Sequence, residues 1–223
     1  MRAPFIPLVL ALPLFAGCQL LGDATPPAST DTGVRLQGTL ARQDDGWVFT
    51  PCQERRRFLV REGSETALDQ DAEPLARAEA SLYADLRGVL AASKQDGLDG
   101  ELQLSRVYRV QKPAGGCDDP NFPRLLLHAG GSEPDWSVNA GKQGLILERP
   151  GQPAQALPYM EEQLPEGRFN LSSEANGEHV ELWVAPNRCV DRRDGSVNYL
   201  ETELRVNGER LRGCGYFGGA RDQ

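Results

Sequence analysis

Apolar and polar residues alternate in several stretches of this chain, and a period of two confines those stretches to extended structure. In residues 178–185, Val180, Leu182 and Val184 fall on one side of a strand, with His179, Glu181 and Trp183 on the other. Leu200, Thr202, Leu204 and Val206 repeat the pattern. Asn207-Gly208 comes next, the pair best suited to a two-residue hairpin because both positions take positive φ. Residues 211–214 then run back. Further strand-like runs lie at 34–40, 46–50, 56–61 and 101–110, with shorter ones at 144–148 and 168–171 and a continuous apolar run at 125–127. With 24 glycines and 16 prolines among 223 residues, turns are frequent and long helices are disfavoured.

One segment changes period. From Pro74, the residues Leu75, Ala78, Leu82, Leu86, Val89 and Leu90 fall at helical spacing, with Arg77, Glu79, Asp85 and Arg87 on the opposite face. Proline suits a first helical turn, so the spacing predicts one amphipathic helix near 74–92. Residues 112–122 carry Pro113, Gly115, Gly116 and Pro120 and read as a connection between domains. The expected fold class is mainly β, with two small antiparallel barrel-like domains. Residues 34–112 form the first, OB-like and with the helix; residues 121–221 form the second.

The amino terminus reads as an address. After Met1-Arg2, residues 5–15 are apolar but too short to span a bilayer as a helix. Leu14-Phe15-Ala16-Gly17-Cys18 resembles the bacterial lipobox, with Phe15 where Leu is usual. The resemblance implies cleavage after residue 17, leaving 1–17 as signal peptide and Cys18 as the lipidated residue. Several acyl chains, at ~0.8 kcal/mol per buried methylene, hold a protein on a membrane essentially permanently. Gln19 after the cysteine favours the outer membrane by resemblance to bacterial sorting rules. Residues 18–33 have no apolar period and read as a flexible tether. A soluble product with a free Cys18 is the alternative.

Export bears on the other cysteines. Cys52, Cys117, Cys189 and Cys214 are an even set in an exported chain, which favours disulfides. Of three connectivities, sequence order within the two halves favours Cys52–Cys117 and Cys189–Cys214. The alternative is a metal site, but zinc and copper centres use close pairs such as C-x-x-C or histidines at fixed offsets. No two of these cysteines are close, and the only histidines are His128 and His179. No metal site and no cofactor motif is read.

Two family resemblances follow. Residues 36–40, Phe49-Thr50-Pro51-Cys52 and Arg57-Phe58-Leu59-Val60 resemble the small-barrel module of copper-homeostasis and envelope-stress lipoproteins of the NlpE type, over roughly 34–110. The paired C-x-x-C of that family is absent, so a copper role is not carried over. Glu133-Pro134-Asp135-Trp136, Leu182-Trp183-Val184, Cys189-Val190-Asp191 and Leu211-Arg212-Gly213-Cys214 resemble the E-P-x-W, C-x-D and L-x-G-C pattern of a bacterial family of envelope lipoproteins without a settled activity, over roughly 121–221. Arg192-Arg193 replaces the usual M-S after C-x-D.

Chemistry-bearing residues are sparse. His128 and Ser132 flank glycines, but no nucleophile-elbow motif accompanies them, and a strand entering a glycine turn reads equally well. Asp118, Asp119, Asp191, Asp194, Glu161 and Glu162 lack EF-hand spacing and read as solvated loop carboxylates. Arg55-Arg56-Arg57 reads as charge on an edge strand, with anionic headgroups as the alternative. Trp136, Trp183, Tyr199 and Tyr216 form a ligand face if they project together, and core filling if they do not. Lys+Arg 24 against Asp+Glu 32 gives a net charge of -8, which argues against nucleic acid as partner. The functional expectation is a non-catalytic binding or scaffolding lipoprotein, held on the periplasmic face of the outer membrane through Cys18, with a periplasmic or cell-wall partner and a role in envelope homeostasis or stress. A small-molecule or metal-ion sensor is the first alternative, and a hydrolase of unrecognised type the second.

Overall fold

The computed structural model describes residues 33–44 and 46–221. The expected signal peptide, Cys18 and the tether up to residue 32 lie outside the described residues.

The first half contributes β1 (Val34–Gln43), β2 (Gly46–Pro51), β3 (Phe58–Arg61), α1 (Leu68–Ala76), β4 (Leu82–Ala91) and β5 (Gly100–Gln111). Hydrogen bonding runs β5-β3-β2-β1-β4 and returns from β4 to β5, so five strands close into a barrel without edges. Among the described strands only β3 and β5 pair in parallel. That ring, with its helix between β3 and β4, is the OB arrangement. Leu40, Phe49, Phe58, Leu82, Leu86 and Leu102 fill the interior, and Leu68, Ala72 and Leu75 of α1 pack against them. The carboxylate of Glu62, just past β3, accepts from the backbone N–H groups of Leu68 and Asp69. It thereby serves two of the donors that a helix start leaves unpaired.

The helix is shorter and earlier than the spacing predicts. Residues 82–91, read as its second half, are strand β4. Leu82, Ala84 and Leu86 point into the barrel, while Tyr83, Asp85 and Arg87 point outward yet are also buried. The outward residues look like the polar face of a helix until the rest of the fold covers them. Pro74 sits in the last turn of α1, not the first.

The second half contributes β6 (Leu125–Ser132), β7 (Asp135–Gly141), β8 (Gly144–Glu148), β9 (Gln155–Leu157), β10 (Met160–Gln163), β11 (Phe169–Ala175), β12 (Glu178–Ala185), β13 (Cys189–Val190), β14 (Val197–Asn198), β15 (Leu200–Val206) and β16 (Glu209–Phe217). Nine of these form an antiparallel sheet in the order β10-β11-β12-β15-β16-β6-β7-β8-β9. Its edge strands, β9 and β10, are joined through Pro158 and Tyr159 alone. The sheet must therefore curl until its edges approach each other. Its concave side is packed with Leu127, Val138, Leu145, Phe169, Leu182 and Leu204, among others. Asn207 and Gly208 take φ of 50° and 90° in the β15–β16 turn, as the hairpin signal requires. Residues 130–132 stay in β6 instead of turning. A Cβ on Gly213 of β16 would stand 1.9 Å from the carbonyl oxygen of Gly130, so bare backbone lets the two strands close.

The expected separation into 34–112 and 121–221 is incomplete. β13 and β14 leave the second sheet, and β14 pairs with β5. The described residues from 33 onward belong to one compact unit. Both disulfides form, Cys52–Cys117 and Cys189–Cys214. The first staples the 112–122 connection to the barrel beside β2. The second runs from the β13–β14 hairpin to β16, and so ties the two sheets together where a pin within one domain was expected. In the chain-entropy view these closures stabilise by about 4 and about 3.5 kcal/mol.

Candidate functional site

A cleft of about 620 Å³ lies between β5 of the barrel and the second sheet. That is within the range of small-ligand sites. Tyr108 from β5, Phe169 from β11, Tyr199 and Leu200 from the start of β15, and Tyr216 and Phe217 from β16 give it an aromatic wall. Arg221 covers one end, with its guanidinium 4.4 Å from the Phe169 ring centroid and 4.9 Å from that of Phe217. Glu161 holds it there through contacts of 2.7 and 3.1 Å. Arg106, Gln163 and Glu65 add polar groups to the lining.

Tyr199 is fixed from behind. Its hydroxyl donates to Asp71 Oδ2 at 2.6 Å, and Arg188 Nε donates to Asp71 Oδ1 at 2.8 Å. Burial, and then the bond to Asp71, push the phenol above its ordinary range, so it stays a neutral donor.

Tyr216 is fixed by a four-membered stack that crosses the seam between the sheets. Arg109 of β5 lies between Tyr83 and Tyr216, its guanidinium 4.8 Å from the first ring and 3.8 Å from the second. His128 packs on Tyr216 with centroids 4.8 Å apart. The His128 Nδ1–H donates to Asn139 Oδ1 at 2.7 Å. Burial lowers the imidazole below its usual value, with Arg109 adding in the same direction. Gly116 lies against Tyr83, where a Cβ would come within 2.5 Å of the ring. Beside the stack, Asp85 accepts from Arg35 at 2.6 and 2.9 Å and from Gln37 at 3.0 Å. Arg35 also donates to the carbonyls of Phe217 and Gly218, which binds the end of β16 to the barrel.

Of the four aromatics weighed as a ligand face or as core filling, Tyr199 and Tyr216 both line the cleft and the two tryptophans do not. Trp136 is 4% exposed in the core of the second sheet, its indole N–H reaching the carbonyl of Arg212. It fits because glycine at 131 and 213 leaves room for the ring. Trp183 is on the convex side with Arg205 4.9 Å over its ring and its N–H directed to Glu181, beside a separate depression of about 300 Å³.

His128 and Ser132 stand four residues apart along one extended strand, roughly 13 Å, too far to share a proton. Asp119, Asp191 and Asp194 accept from the backbone N–H two residues on and shape turns. Among the described residues no three His, Cys, Asp or Glu side chains converge as a metal site. The strand expected at 56–61 begins at Phe58, so Arg55 and Arg56 are exposed in the β2–β3 connection, with Arg56 bonded to Glu54. The sequence reading missed Arg109, Tyr83, Asp71 and Arg221. A charge inside an apolar run, as at Arg109, was the one available sign. Comparison with protein-family models, with curated proteins and with solved structures finds no match to this chain.

Proposed function

We propose that this chain is a non-catalytic binding module of the bacterial envelope. In this reading it is lipidated at Cys18 and held on the periplasmic face of the outer membrane. Its described body captures a small amphipathic or aromatic ligand, or a projecting element of a periplasmic or cell-wall partner. The observation that carries the reading is the 620 Å³ cleft, whose wall draws Tyr108, Phe169, Tyr199, Tyr216 and Phe217 from both sheets. Such a wall supplies stacking surface, and Arg106, Gln163 and Glu65 supply a polar rim. The lipobox-like start, the family resemblances and the two disulfides support an envelope setting.

The test has two arms. Radiolabelled palmitate should enter the wild-type chain in a Gram-negative host and not Cys18→Ala. Native mass spectrometry of protein extracted gently from its own envelope should show a bound mass that Thr66→Trp, which fills the cleft from an exposed loop, no longer carries. Wild-type protein without bound mass, whose cleft tyrosine NMR signals also ignore both envelope small-molecule extract and peptidoglycan fragments, would overturn the binding reading.

A further inference from the structure

The seam beside the cleft holds a second feature. Asp85 is met by Arg35 and Gln37, and Asp71 by Arg188 and Tyr199. Arg109 faces Asp85 across β4 and β5, but that carboxylate is engaged by Arg35 and Gln37. Arg109 is 3% exposed, and its Nε is without a hydrogen-bond partner among the described residues. Its contacts are the faces of Tyr83 and Tyr216. A guanidinium sandwiched between rings has its flat faces covered, while its five N–H groups point outward in the plane and ask for oxygen acceptors.

Asn198 is the ladder partner of Arg109 across β5 and β14, so both side chains project from the same side of the sheet. Asn198 is 6% exposed and its amide oxygen is unpartnered among the described residues. Two residues earlier, Ser196 is 5% exposed with an unpartnered hydroxyl. The acids that act on neighbouring His128, Asp119 and Asp191, each give an oxygen to a backbone N–H in their own turns. A buried cation and a buried amide thus share one side of two adjacent strands, with a buried hydroxyl just before the second strand. Buried charges and buried polar groups are costly unless they are paired.

We propose that the N–H edge of Arg109 binds one small oxyanion, with the amide N–H of Asn198, once rotated, and the Ser196 hydroxyl as further donors. Charge selects an anion. Planar N–H geometry selects a phosphate, sulfate or carboxylate over a halide. Burial of all three side chains favours a small ion over a large one. The site shares Tyr216 with the cleft wall but takes a different ligand.

The probes are inorganic phosphate, sulfate and acetate at millimolar concentration, where salting-out is negligible, against chloride at equal ionic strength. Isothermal titration should give saturable binding of one oxyanion per chain, with a rise in Tm that chloride does not produce. Arg109→Gln should weaken binding by roughly tenfold or more. Should that variant not fold, Asn198→Asp tests the same claim, because it places a fixed carboxylate opposite Arg109. It should raise Tm in chloride and abolish the oxyanion response. An oxyanion response equal to that of chloride in the wild type, or one retained in full by Asn198→Asp, overturns the proposal.

Discussion

The hydroxyl of Tyr199 donates a 2.6 Å hydrogen bond to the fully buried carboxylate of Asp71, and so links the start of β15 to α1 across 128 residues of sequence. Asp71 belongs to the barrel and Tyr199 to the segment that returns from the barrel to the second sheet. Arg188 reaches the same carboxylate from the other side of the β13–β14 hairpin. The excursion of residues 189–198 onto the first sheet is therefore held at both ends by one aspartate.

Tyr199→Phe should destabilise the protein by about 1.5–3 kcal/mol, the usual worth of a hydrogen bond to a charged group. Urea unfolding checks it. In an Asp71→Asn background the same change should cost less, because the carboxylate is no longer charged. The double-mutant cycle should return a coupling of roughly 0.5–3 kcal/mol. Additive losses would show that Tyr199 acts through packing alone.

His128 sets an acid limit. Its folded pKa lies below the unfolded value of about 6.5. The unfolded chain therefore binds the proton first as pH falls. The stability contributed by neutral His128 is complete above about pH 6.5 and is lost as pH drops through the folded pKa, with a slope of up to about 1.4 kcal/mol per pH unit. His128→Gln, which can keep a bond to Asn139, should flatten the stability curve in that window. Asp69, lowered by bonds from Trp47 and Arg42, and Glu178, lowered by Arg149 and Gln155, act in the opposite ionic sense but the same pH direction. Their contributions fade only below about pH 4.5, beneath the carboxylate range, so a pH series separates them from the histidine.

How far these features were legible follows from which partner each residue needed. Period two, the Asn207-Gly208 turn and the order of the four cysteines depend on neighbours in sequence, and they could be read directly. The β4 strand could not. Tyr83, Asp85 and Arg87 are buried only because the seam, the 112–122 connection and Arg35 cover them, and a covered polar residue looks like a solvent-facing one in the sequence. The same blindness governed the aromatics. Alternation places Trp183 opposite Leu182, but it does not say which side of the sheet meets the barrel. Tyr199 and Tyr216 could therefore not be ranked above Trp136 and Trp183.

Removing the Cys189–Cys214 bond should act locally before it acts globally. The closed loop has a sequence separation of 25, and its loss should cost about 3.5 kcal/mol in the chain-entropy view. β13 and β14 hold only two residues each. With Cys189→Ala and Cys214→Ala together, amides 189–198 should exchange with solvent faster than those of β12 and β15, as hydrogen-exchange mass spectrometry can read. Uniform loss of protection across both sheets would mean that the hairpin and the body unfold as one.

Gly213→Ala and Gly208→Ala should part company, although both sit in the last hairpin. Gly208 has φ of 90° with open space where a Cβ would go, so alanine adds backbone strain alone, about 1 kcal/mol. A Cβ on Gly213 would meet the Gly130 carbonyl at 1.9 Å and the Trp136 ring at 2.8 Å, and neither can withdraw without parting β16 from β6. That substitution should cost about 3 kcal/mol or more by overpacking. It should also shift Trp136 fluorescence, since the indole lies on the crowded side, whereas Gly208→Ala should leave the emission unchanged. Equal losses of Tm in the two variants would show that the β6–β16 approach is less tight than its backbone spacing implies.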